Sequence, residues 1–134
     1  MIGHPNFSRK QLNHLSGKVL EAAFRVHSQL GPGLLESVYE VCLRHEMEKK
    51  GIQTESQVAL PVHYDQKKLN IGYRMDLMVE NSILIEIKSV EKVSSLHEAQ
   101  LLTYLKLSGL KLGLLINFNV ISLKDGVKRL VNQF

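Results

Sequence analysis

Cysteine is almost absent from this chain: Cys42 stands alone among 134 residues. An internal disulfide framework and a multi-cysteine zinc knot are both excluded, and a reducing compartment is favoured. Cys42 also has no evident partner for nucleophilic catalysis. Its place beside apolar residues on a predicted helix reads as a small buried apolar group. Long apolar runs are missing too, since nothing approaches the roughly 18 residues of a membrane span. The opening residues, Met1-Ile-Gly-His-Pro-Asn6, carry no apolar targeting core. The expectation is a cytoplasmic protein that crosses no membrane. No segment is repeated or low in complexity. His45-Glu46 lacks the second histidine of a helical zinc site, and no glycine-rich phosphate loop follows a strand.

What is present suits a globular fold. The chain is 44% hydrophobic and 22% charged, outside the range of disordered sequences. Its length fits one domain over residues 1–134, enough to bury roughly two-thirds of the unfolded surface. Lys and Arg outnumber Asp and Glu by 17 to 13, a net charge of +4 that leans weakly toward a polyanionic partner.

The informative stretch runs from Gly72 to Tyr104, where charge stands in a place suited to core. Ile83 to Ile87 is β-branched and apolar enough for a buried strand, yet Glu86 interrupts it and Lys88 follows. Such charges are rarely buried without partners. Residues two apart on a strand share a face, so Glu86 and Lys88 point one way and Ile85 and Ile87 the other. Tyr73 to Glu80 can pair antiparallel with this strand through a tight turn centred on Asn81, a residue that tolerates the left-handed region. With Val79 facing Ile83, Asp76 falls opposite Glu86, their Cβ atoms roughly 4.5–5.5 Å apart. Two such carboxylates repel unless one is protonated or a cation lies between them, and a hard divalent ion such as Mg²⁺ takes oxygen ligands of this kind.

Downstream, Ser95-Leu-His-Glu98 has the form of a capping box that opens a helix closed by Gly109. Gln100 and Tyr104, four apart, share a face of it, and His97 extends that polar stripe on an otherwise leucine-rich element. Upstream, Ser8-Arg-Lys-Gln11 opens a long amphipathic helix through Leu12, Leu15, Val19, Ala22, Ala23, Val26 and Leu30, which Gly31-Pro32-Gly33 ends. A second helix is predicted from about Leu34 to Lys50, with Leu35, Val38, Tyr39, Cys42 and Leu43 inward, Glu36 in its first turn and Gly51 as cap. Val58, Leu60, Val62 and Tyr64 alternate as a half-exposed strand, the first of a three-stranded meander. Leu112 to Phe118 reads as a strand buried on both faces and parallel to the one before the helix. Ile121 to Lys124 and Val127 to Val131 read as a closing hairpin about Asp125-Gly126.

These residues carry a resemblance. Gly33-Leu-Leu-Glu36-Ser-Val-Tyr39 is similar to the signature of the GxxExxY protein family, and the order of elements resembles the PD-(D/E)XK nuclease superfamily. The likeness extends through Asp76, Glu86-Ile-Lys88, Gln100-Leu-Leu-Thr-Tyr104, Asn117-Phe118 and Asp125-Gly126, a set similar to RecB-like nucleases. Met75 stands where the superfamily's name has proline. The resemblance implies an α/β fold of the restriction-endonuclease type, a central mixed β-sheet flanked by α-helices. It also implies Glu36, Asp76, Glu86 and the backbone carbonyl of Ile87 as ligands of Mg²⁺ or Mn²⁺. Lys88 would then orient or deprotonate the attacking water, with Gln100 and Tyr104 holding the site or the phosphate.

The expected activity is metal-dependent hydrolysis of a nucleic-acid phosphodiester, with DNA as substrate and a homodimer as a way to span a duplex. The alternatives are a non-catalytic nucleic-acid- or protein-binding module that keeps the nuclease fold, and a purely structural ion network.

Overall fold

A computed structural model describes residues 6–134, the side chains of Asn70 and Ile71 excepted. The stretch 1–5, part of the segment read for targeting, lies outside the described residues. Helix α1 (Arg9–Leu30) starts where the Ser8 hydroxyl accepts the Gln11 N–H and the Gln11 side chain accepts the Ser8 N–H. Its apolar face, Leu12, Val19, Ala22, Ala23 and Val26, is buried. Gly31, at φ 70°, ends it.

Helix α2 (Glu36–Lys49) starts later than the apolar spacing predicts, and its phase differs. Tyr39, Leu43 and Met47, four apart, are its buried residues, which turns Leu35 and Val38 outward and leaves Leu35 72% exposed. Tyr39 sets this phase. Its ring stacks on Phe118 at 4.4 Å between centroids, and its hydroxyl donates to the Gly31 carbonyl at 2.6 Å while accepting the Leu34 N–H. Gly33, at φ 96°, supplies the left-handed backbone that this corner needs.

The sheet has five strands in the order β1 (Thr54–Tyr64), β2 (Lys67–Val79), β3 (Ile83–Lys88), β4 (Leu112–Asn117), β5 (Val127–Val131). β1, β2 and β3 form the expected antiparallel meander, and β3 pairs parallel with β4 across helix α3 (Ser95–Ser108). This is the mixed α/β architecture, a central sheet flanked by helices, that the resemblance implies. One face of the sheet packs on α1 and α2 through Leu77, Ile83, Ile85, Ile87, Leu114 and Ile116. The other packs on α3 through Leu60, Met75, Leu84 and Leu115. Among the described residues no helix is long and apolar enough to cross a membrane.

Two local expectations are corrected. Helix α3 is capped by Ser94 rather than Ser95, with the His97 ring in the place assigned to Glu98; His97 Nδ1 accepts the Ser94 N–H at 3.1 Å. The imidazole is therefore engaged at the cap and does not extend the Gln100–Tyr104 stripe. The closing hairpin is also absent, because Leu123–Gly126 is a 3-10 turn and β5 pairs antiparallel with β4 itself. A Cβ at Gly126 would collide with the Asn117 carbonyl oxygen, so the chain turns tightly there instead of running out as a strand.

Candidate active site

The β2–β3 register places Val79 opposite Ile83 and Leu77 opposite Ile85, so the next pair in sequence is Asp76 and Glu86, as the odd-length turn requires. The paired ladder stops at Leu77. Beyond it the two carboxylates replace main-chain partners: Ile87 N–H donates to Asp76 Oδ2 at 3.0 Å, and Asp76 N–H donates to Glu86 Oε1 at 3.3 Å. Strand β2 forks away from β3 at this point, with the Asp76 carboxylate in the fork.

A break in alternation accompanies the fork. A period of two would put Met75 and Leu77 on one face, yet Met75 belongs to the α3 core and Leu77 to the α1–α2 core. On β1, Ser56 bonds Glu40 of α2 while Val58 packs toward α3, and Gln57 between them has φ 53°. Both strands thus change face at the same level. This positive φ on a non-glycine residue is an unfavourable conformation held by its surroundings. Gln57 Nε2 donates to Glu40 Oε1 at 3.0 Å, and its carbonyl accepts from Arg74.

Glu86 is 5% exposed. Burial pushes its carboxyl up to about 8, and the neighbouring Asp76 charge adds to the rise; Lys88 works against it. Lys88 is half-buried and, among the described residues, forms no ion pair. On α3, Gln100 Nε2 donates to Tyr104 Oη at 3.0 Å. Burial, then the Glu86 charge, raises the Tyr104 pKa, so the phenol keeps its proton as a hydrogen-bond donor on the Glu86 side of the sheet.

On the other side, a cleft of about 500 Å³ is lined by Leu35, Glu36, Glu40, Gln57, Asp76 and Ser89, among others. Glu36 reaches it from the first turn of α2, where Oε2 accepts the Ser89 N–H at 3.3 Å. Ser89 Oγ donates to the Leu34 carbonyl at 2.6 Å, tying the end of β3 to the corner before α2. Asn117, 2% exposed, exchanges two hydrogen bonds with the main chain of Val90 and fixes the next residue of this loop.

Of the residues expected from sequence, Asp76 and Glu86 are brought into contact, and Ile87 and Lys88 adjoin them. Gln100 and Tyr104 form a bonded pair on the Glu86 side, and Glu36 shares a cleft with Asp76 and Ile87. Glu36 does not close on the pair: among the described residues no three His, Cys, Asp or Glu side chains gather tightly enough to hold one ion. Glu40, Gln57 and Asn117 were not expected at the site. Glu40 lies one turn beyond Glu36 on α2, a helical spacing that could have marked it.

The donor chemistry fits a hard divalent cation. Two carboxylates face one another, and a residue's N–H and C=O leave a strand on the same side. The Ile87 carbonyl therefore points with its N–H into the fork, where β2 no longer pairs, while the Lys88 carbonyl faces β4 and accepts the Phe118 N–H. Carboxylate and carbonyl oxygens are the ligands Mg²⁺ prefers.

No curated protein and no solved structure matches the chain. A family model described as the PD-(D/E)XK nuclease superfamily matches residues 13–130, a span that takes in every residue discussed above from Glu36 to Tyr104 and both halves of the fork. With nearly the whole chain covered, the protein belongs to the PD-(D/E)XK nuclease superfamily.

Proposed function

We propose that residues 1–134 form one GxxExxY-type nuclease domain that hydrolyses phosphodiester bonds, with DNA as substrate and Mg²⁺ or Mn²⁺ as cofactor. The observation that carries this reading is the Asp76–Glu86 pair at the β2–β3 fork, with the Ile87 carbonyl directed into it and Lys88 next in chain. A structural pair needs neither an open carbonyl nor a lysine beside it.

Asp76, Glu86 and the Ile87 carbonyl would hold the cation, which when bound supplies Lewis-acid polarisation of the phosphate and acidifies a water. Lys88 shares the Glu86 face of β3 and would position that water and offset charge on the phosphate oxygens. Tyr104, kept protonated and oriented by Gln100, can donate to a phosphate oxygen on the same side. Glu36, across the cleft, would act through solvent on the cation rather than as a direct ligand. The single cysteine supports a reducing, cytoplasmic setting. One fork cuts one strand, so cutting both strands of a duplex would call for a homodimer.

The test is calorimetric titration of Mg²⁺ and Mn²⁺ into the wild type and Asp76→Asn, followed by cleavage assays on DNA and RNA. Cation binding and cleavage, both lost in Asp76→Asn, are expected. Cleavage that persists in the variant would remove this mechanism, and nucleic-acid binding with no cleavage would favour the non-catalytic binding module.

A further inference from the structure

The β1–β2 hairpin continues well past the fork. β3 pairs with β2 only over Leu77–Val79, so residues 58–75 extend beyond the paired part of the sheet as a two-stranded arm. The arm is basic and aromatic: Lys67, Lys68 and Arg74 stand against one acid, Asp65, with Tyr64 75% and Tyr73 51% exposed. A cavity of about 430 Å³ is set into it, lined by Leu60, Pro61, Lys68, Gly72, Tyr73 and Arg74. Gly72 helps to shape it. A Cβ there would lie 2.9 Å from the Leu60 carbonyl oxygen, so the strands approach closely where the β1–β2 register shifts, between Pro61 and His63.

Tyr73 connects this cavity to the site. Its ring centroid lies 5.7 Å from that of Tyr104, tilted by 41°, and Tyr104 packs with Leu84 on the face of the sheet that Glu86 shares. The rest of the Tyr73 ring is open to solvent. An exposed aromatic that shares a cavity with a lysine and an arginine and reaches toward the site through Tyr104 suits one ligand chemistry: a base with its phosphates. Aromatic stacking of this kind reaches a base only when it is unpaired, because in a duplex the faces of the bases are covered.

We infer that the arm grips an unpaired nucleic-acid strand, with the base next to the scissile phosphate stacked on Tyr73 and the adjoining phosphates held by Lys68 and Arg74. This rests on the nuclease reading for its orientation and narrows the substrate to single strands, frayed ends or flaps. The contacts use base faces and phosphates, so the pocket by itself accepts DNA or RNA.

Binding without catalysis tests it. Labelled oligodeoxyuridine, oligouridine and a blunt duplex of equal length are titrated in EDTA, with fluorescence anisotropy as readout. The single strands should bind more tightly than the duplex, and whichever of the two binds better names the sugar. Tyr73→Ala should weaken single-strand binding about tenfold, the loss of one base stack, and Tyr73→Phe should retain it. Lys68→Ala, on the exposed arm, should reduce the salt slope by about 0.7. Duplex binding equal to or tighter than single-strand binding, or Tyr73→Ala and Lys68→Ala both indistinguishable from wild type, would overturn the inference. Binding through Tyr73 in a chain that cleaves nothing with Mg²⁺ would remove the nuclease reading and leave this one standing.

Discussion

The main-chain N–H of Ile87 donates to Asp76 Oδ2 at 3.0 Å, where the next residue of an unbroken antiparallel ladder would have offered a carbonyl. One side chain thus ends the pairing of two strands and stands at the opening it creates. Asp76 has this structural role, and the proposed function gives it a chemical one; its substitutions should separate the two. Asp76→Asn keeps an oxygen for Ile87 and should melt near wild type while losing cation binding. Asp76→Ala leaves the amide unpaired and should cost about 1.5–3 kcal/mol in addition, the range for a hydrogen bond to a charged group. Chemical denaturation and calorimetry on both variants check this.

Glu86 should impose a pH dependence on stability. Its carboxyl titrates near 8 when folded and near 4.5 when unfolded, chiefly because it is buried. Between those values the folded chain holds a proton that the unfolded chain has released. The contribution to stability is therefore complete below about pH 4.5, declines through the window and is gone once pH passes about 8. Glu86→Gln, neutral throughout, should lose this decline. Saturating Mg²⁺ should oppose it, because the cation binds the deprotonated pair. Thermal melts across the window, with and without Mg²⁺, give the result; a wild-type stability that rises through the window would contradict the buried, protonated state.

Lys88→Ala should abolish cleavage and leave cation affinity intact or slightly improved, since its charge is removed from beside the pair. Calorimetry and a cleavage assay on the same preparation separate this from Asp76→Asn, which loses both.

Glu36→Gln should be milder. Glu36 shares the cleft with Asp76 but is bonded to Ser89 and does not close on the carboxylate pair. A loss of about 10–100-fold in cleavage is expected, as for residues that act on a metal through another group. A loss as complete as that of Asp76→Asn would make Glu36 a direct ligand.

Tyr39→Phe removes a buried hydroxyl that serves both Gly31 and Leu34. The ring stack on Phe118 is retained, so the expected cost is about 1–3 kcal/mol from the carbonyl left without its donor. Denaturant midpoints measure it.

How far the sequence could be read depended on the range of the forces involved. Alternation in Ile83 to Ile87, the breaker at Gly31-Pro32-Gly33 and the left-handed residue at Asn81 are local. They yielded the helices, the meander, the parallel β4 and the register that opposes Asp76 to Glu86. Where two local solutions competed, the choice required the whole fold. Ser95-Leu-His-Glu98 fits a capping box by residue type, yet the His97 ring closes the box on Ser94 instead. The apolar residues of α2 fit two phases, and the stack of Tyr39 on Phe118, 79 positions along the chain, decided between them.

The same division holds at the site. By itself the sequence determined which carboxylates meet, because β-pairing is a matter of counting once the turn is known. It also placed Lys88 on the Glu86 face and Tyr104 one helical turn from Gln100. Only the tertiary structure decided that β2 leaves β3 at Asp76, that Gln57 and Asp76 change face together, and that Glu40 enters the cleft beside Glu36. A strand's period cannot announce its own interruption. The break exists because β1 and β2 must pack Ser56 and Leu77 toward α2 and Val58 and Met75 toward α3, and those two helices lie far apart in the sequence on either side of the hairpin.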